Sequence, residues 1–246
     1  MCQNPHFMLI DLHVQTTRTP GGTLGPLEVL VRAHALGLDG VVFTDLDTLD
    51  GLAEVRAAGA ETGLVALVGL SLSTATGRFL CFFDDPGSLA PVAELFGPGP
   101  RPAVATLARA VTLGAAVVAA HPYDKTLPPA IADAVFSLDG LAALEGLHGR
   151  SRHGANDLAV EAADHLGLPC VGGSGALTSL DELGTAATLL REPVGDEAGL
   201  VRQLRAGTCW AACLSAPSAA ASRPGTRRDA SPRARSTPRS PPAGRS

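Results

Sequence analysis

From Met8 to Leu214, short apolar runs alternate with amphipathic segments, and no other feature restricts the fold as much. A strand buried on both faces reads as a continuous apolar run, and strands joined through helices form a mainly parallel sheet. Strands are expected over 8–14, 40–45, 64–72, 78–83, 115–122, 141–147, 168–175, 185–190 and 208–214, with helices between them. Three helices are legible from apolar residues at helical spacing and a closing glycine: 27–37, 157–167 and 200–207, ending on Gly37, Gly167 and Gly207. The Pro/Gly-rich stretch 96–102 is expected to be a loop.

With 246 residues, 46% of them hydrophobic, and a mean hydropathy of +0.21, the chain is long enough to bury one sizeable core. The expected organisation is a short extension over 1–7, one α/β domain over 8–214 and a tail over 215–246. Met8, directly before the first strand, is an alternative start to Met1. The tail is Ser, Pro, Ala and Arg with almost nothing to bury, so disorder is expected there. It holds seven arginines against the single acid Asp229, so the formal net charge of −5 conceals a body at −11 and a tail at +6. A body so acidic does not suit nucleic acid, which leaves only non-specific contact through the tail.

The five cysteines, Cys2, Cys81, Cys170, Cys209 and Cys213, show no framework spacing and fit reduced thiols in a cytoplasmic protein. No secretory pattern opens the chain, and no apolar run has the length of a membrane span.

Polar residues gather where the apolar runs end. "LIDLHVQTTRTPGG" delivers Asp11 and His13 into a turn; "GVVFTDLDTLDGL" ends on Asp45; "AAVVAAHPYDK" ends on His121 and Lys125. "LAALEGLHGRSRHGAND" carries Glu145, His148, Arg150, Arg152, His153, Asn156 and Asp157, a loop leading to a helix with a cap near Asn156 or Asp157. Histidines and carboxylates at strand ends can ligate a metal, or can simply satisfy neighbouring hydrogen-bonding groups. The arginines can hold an anion, or pair with acids such as Glu145.

Four of these stretches, taken in order, resemble the PHP superfamily, the polymerase and histidinol phosphatase family of metal-dependent phosphoesterases. "DLHVQTTRTPGG" is similar to its first motif, D-x-H-x-H-T with a Ser-Asp-Gly turn; "FTDLDTLDGL" to the segment carrying Thr-Asp-His; "AVVAAHPYD" to the third motif; and "LPCVGGSGALTSLDELGTAATLL" to the Gly-Ser-Asp-Ala-His motif. The resemblance implies a distorted (βα)7 TIM-like barrel with metal ions at the C-terminal ends of its strands, and hydrolysis of phosphate esters.

It places His13 and His121 at ligand positions and Glu145 where the family has an acid facing the barrel mouth. It also sets Gln15, Pro20, Leu46, Ser71, Gly175 and Leu177 where ligands or motif residues belong, and Arg78 or Phe79 where a histidine often stands. What survives implies at most one weakly held divalent ion, manganese, zinc or iron, on His13, His121 and Asp11. Catalysis would fall to His13, His121, Asp45 and Glu145, and a small phosphorylated or anionic ligand to Arg18, Lys125, Arg150, Arg152 and His153.

The ligand losses across four motifs lead to a degenerate barrel, with little or no metal, that binds a phospho-ligand or regulates; the alternative is an active phosphoesterase with a single-metal site.

Overall fold

The computed structural model describes residues 7–214; the extension over 1–6 and the tail over 215–246 lie outside the described residues. Every expected strand is present. In chain order the elements are β1 (Met8–Val14), α1 (Pro26–Ala35), β2 (Gly40–Leu46), α2 (Leu52–Thr62), β3 (Val65–Ser73), β4 (Arg78–Phe82), α3 (Val92–Phe96), α4 (Ala103–Thr112), β5 (Ala116–Ala119), β6 (Leu141–His148), α5 (His153–Leu166), β7 (Cys170–Gly173), β8 (Ala186–Leu190), α6 (Glu197–Ala206) and β9 (Cys209–Cys213).

The strands form one nine-stranded sheet in the order β7-β6-β5-β4-β3-β2-β1-β8-β9. β4 runs against β3 and β5, and β8 against β1 and β9; the other seven share one direction. The reversal at β4 follows from its connection. Thr74 closes a tight turn by bonding Gly77 through both its amide and its hydroxyl, and so short a link cannot make the crossover that a parallel pair needs.

Edge strands β7 and β9 approach each other, so the sheet curls into a nearly closed barrel. Its seam is joined partly by side chain: Thr188 Oγ1 of β8 bonds both the amide and the carbonyl of Gly172, each at 2.8 Å. Past the end of β7, the Gly175 amide donates to the His13 carbonyl and the Gln15 amide to the Ala176 carbonyl.

Both faces of the sheet are buried, which explains the continuous apolar runs. Leu80 and Phe82 of β4, with Ala116 and Val118 of β5, pack in one cluster with Leu200, Val201 and Leu204 of α6. The alternate residues, Phe79, Cys81, Val117 and Ala119, pack with Leu107 and Ala110 of α4 and Ala162 and Ala163 of α5. A third cluster sets Val41 and Phe43 of β2 against Val29 and Leu30 of α1 and Val55 of α2. No helix among the described residues is long and apolar enough to cross a membrane.

Candidate metal centre

Because seven strands share a direction, their C-terminal ends meet at one mouth, and the start of reversed β4 lies at the same end. His13 comes from the end of β1, His121 from just past β5, and Glu145 and His148 from β6. All four are buried. Strict alternation would send Glu145 and His148, three residues apart, to opposite faces of β6. A register shift between Glu145 and Leu147 resets the alternation, and a similar shift lies between Asp11 and Val14 of β1. Such bulges re-aim side chains.

Glu145 organises the cluster. Its Oε1 lies 2.8 Å from His13 Nδ1 and its Oε2 accepts the His121 amide at 2.8 Å. His121 sits at a φ of +31°, an uncommon conformation for a residue with a side chain, and that amide bond helps to hold it. The imidazole centroids are 5.9 Å apart for His13 and His121, 5.3 Å for His13 and His148, and 4.9 Å for His121 and His148. One donor atom from each of His13, Glu145 and His148 lies within 4.8 Å of the others.

Among the described residues, four buried side-chain polar atoms have no partner: Asp11 Oδ2, Gln15 Nε2, Ser71 Oγ and His121 Nε2. Three of them belong to residues at the ends of β1, β3 and β5, around the same mouth. Buried polar atoms are rarely left unpaired in a site that holds nothing. Imidazole nitrogens with a carboxylate oxygen suit zinc, manganese or iron, so the residues present fit one divalent ion.

Burial lowers all three imidazoles to about 3; the charges of Arg78 and Arg150 add to the effect on His13, and His13 and Arg78 to that on His121. At neutral pH the rings are therefore uncharged, each with a lone pair to donate. Burial also raises Asp11 and Glu145 to about 7. For Asp124, burial is outweighed by hydrogen bonds from Ser151 and Thr126, and its carboxyl falls below the ordinary value.

The remaining expected residues are placed as follows. Asp11 stands behind the cluster, where Oδ1 accepts the His13 and Ser174 amides. Asp45 is fully engaged in the turn after β1, accepting the Thr16 amide and the Thr16 and Thr19 hydroxyls at 2.6–2.7 Å. Arg18 is exposed and pairs with Glu54. Lys125 and Arg152 are exposed, and His153 is the first residue of α5. Arg150 reaches the mouth, with Nη1 3.3 Å from the Gly175 carbonyl and its guanidinium opposite Glu182.

Two residues gain a place that the sequence did not assign. His148 belongs to the cluster and not to the loop beyond it. Arg78, at the start of β4, bears electrostatically on His13 and His121 and forms no ion pair among the described residues. Asn156 does not cap α5: its side chain bonds the amide and carbonyl of His148, both at 3.2 Å.

A family model described as PHP-associated matches residues 153–209. A 3′,5′-nucleoside bisphosphate phosphatase of Chromobacterium violaceum is 44% identical over 69 residues, which are 28% of this chain and 24% of that protein. The chain thus matches about a quarter of that relative's length. By structure, a Bifidobacterium adolescentis protein assigned as a metal-dependent phosphoesterase superposes with a TM-score of 0.55 at 20% identity, over 68% of this chain and 87% of the other. A Chromobacterium violaceum amidohydrolase solved with sulfate and no metal gives 0.58 at 19%, over 84% and 98%. These two likenesses speak to the fold. The ordered motifs and the PHP-associated match over residues 153–209 are what this chain shares with the PHP superfamily.

Proposed function

We propose that the chain is a phosphoesterase of reduced metal count, hydrolysing a small phosphate monoester with one divalent ion. The observation that carries this reading is the convergence of His13, Glu145 and His148, each with a donor atom within 4.8 Å of the others. These residues would hold the ion, with the unpartnered His121 Nε2 beside it. When bound, the ion would polarise a phosphoryl oxygen and acidify a water.

The protein's own groups supply the rest. Arg78 and Arg150, whose charges act on His13, would pair with phosphate oxygens. Glu145 orients His13 through the 2.8 Å contact to its Nδ1. The substrate class is suggested by the Chromobacterium violaceum relative, whose name is that of a phosphatase of 3′,5′-nucleoside bisphosphates.

Elemental analysis of protein purified without chelator should find about one zinc, manganese or iron per chain. Phosphate release from a nucleoside bisphosphate should fall by orders of magnitude in His13→Ala. Turnover that survives this substitution would remove the cluster from the chemistry.

A second reading, a barrel that binds a phospho-ligand without hydrolysing it, is favoured by Asp45. That carboxylate is consumed by three hydroxyl and amide donors, and Leu46, Ser71 and Leu177 add no strong ligand. Tight bisphosphate binding with neither metal nor turnover would select it.

A further inference from the structure

Gly175 occupies the position at which the last motif of the family has an aspartate, and the space above it is filled. A Cβ at Gly175 would lie well inside van der Waals contact distance of His148 Nε2, with the Cε1 and Cδ2 atoms of that ring also too close. A side chain at 175 and the imidazole of His148 therefore exclude each other. Hydrogen bonds fix the His148 backbone and one nitrogen of its ring. Asn156 clamps its backbone through the 148 amide and carbonyl. Ser151 Oγ lies 2.9 Å from His148 Nδ1 and donates to Asp124 Oδ2 at 2.5 Å. Asp124 Oδ1 is itself taken by the Thr126 amide and hydroxyl.

The direction of this chain of hydrogen bonds can be worked out. A carboxylate only accepts, so the single Ser151 proton goes to Asp124. Ser151 Oγ is then left with lone pairs toward His148, and Nδ1 must carry the hydrogen. Nε2, the nitrogen beside Gly175, is left as the acceptor.

Resting on the single-ion reading, we infer that His148 replaces the side chain missing at Gly175 as a metal ligand, and that Asp124 and Ser151 are positioning residues that fix its imidazole with hydrogen on Nδ1. The ligand is thus delivered from the end of β6 and not from the turn after β7. The substitution at 175 is half of an exchange, and its other half lies 27 residues earlier in the chain.

The test separates the relay from the metal. In metal-free protein, nitrogen NMR of His148 should show a protonated Nδ1 and an unprotonated Nε2; the opposite tautomer would overturn the relay. Ser151→Ala should lose the tautomer preference and weaken Zn2+ binding roughly 10- to 100-fold, as removal of an outer-shell partner does. Ser151→Thr, which keeps the hydroxyl, should restore both. Unchanged tautomer and affinity in Ser151→Ala would count against the inference. For the exchange itself, His148→Ala should lose Zn2+ and the double variant His148→Ala/Gly175→Asp should regain part of it, because aspartate tolerates the left-handed conformation at 175, where φ is +68°. A folded double variant that regains nothing overturns the exchange. If the native chain takes up no Zn2+ at all, the ligand assignment falls with the single-ion reading, while the tautomer in metal-free protein still decides the relay.

Discussion

Asp45 and Glu145 show how burial assigns different work to two carboxylates. Asp45 accepts three hydrogen bonds from the Thr16–Thr19 turn, and losing them strands a buried amide and two hydroxyls. Asp45→Ala should cost about 3 kcal/mol or more of stability by urea unfolding. A cost below about 1 kcal/mol would mean that the turn does not depend on it.

The titrating cluster makes a second residue-scale prediction. In unfolded chain histidine titrates near 6.5, whereas His13, His121 and His148 in the fold do so at about 3. Between these values the unfolded chain binds more protons, so acidification favours unfolding. Asp11 and Glu145 act oppositely: raised to about 7 from 3.8 and 4.5, they contribute stability that is complete below those lower values and is lost as pH rises toward 7. From about 4.5 to 6.5 the two carboxyls offset only two of the three imidazoles, so stability already falls by the equivalent of one proton as pH drops; below about 4 the carboxyls no longer compensate and the fall steepens. The melting midpoint of metal-free protein should therefore decline gently from about pH 6.5 to 4.5 and steeply toward pH 3. A steep fall already complete by pH 5 would show that the imidazoles titrate normally.

Strands were the most legible elements, because both sheet faces are buried and apolar residues are consecutive. Their directions were not legible, since β3 and β4 differ from a parallel pair only in the length of their link. Helices α2 and α4 escaped naming for a related reason. α2 buries only Val55 and Ala58, and α4 buries Ala103, Thr106, Leu107 and Ala110, so small residues blur the helical period. His148 was missed through the bulge in β6: the alternation that identifies Glu145 as inward-facing excludes its neighbour three residues on. The signal that could have found it is the pairing of an extra histidine with an unexpected glycine in a later motif. At the same scale, β7 passes so close to β1 that a Cβ on Gly173 would strike the His13 backbone and Cβ. Gly173→Ala should cost about 1–3 kcal/mol and disturb the cluster; a variant of native stability and metal content would mean that the two strands can separate freely.

For the whole molecule, the barrel closes its first core cluster with residues from Met8 to Cys209 and its sheet with β9. The composition of 215–246 offers little to bury, and a chain ending at Leu214 is expected to melt at the same temperature as the full chain. A truncated protein that aggregates or melts many degrees lower would move the domain boundary. The seam between β7 and β8 bears on how the barrel breathes. Elsewhere neighbouring strands share backbone ladders, but here a threonine hydroxyl and two turn amides do the joining. Amides at Gly172 and Gly175 should exchange with deuterium sooner than those of β2 and β3, since opening there breaks fewer backbone bonds. The same opening would draw His13 away from Glu145, so any ion that bridges the mouth should act as a rivet and slow that exchange.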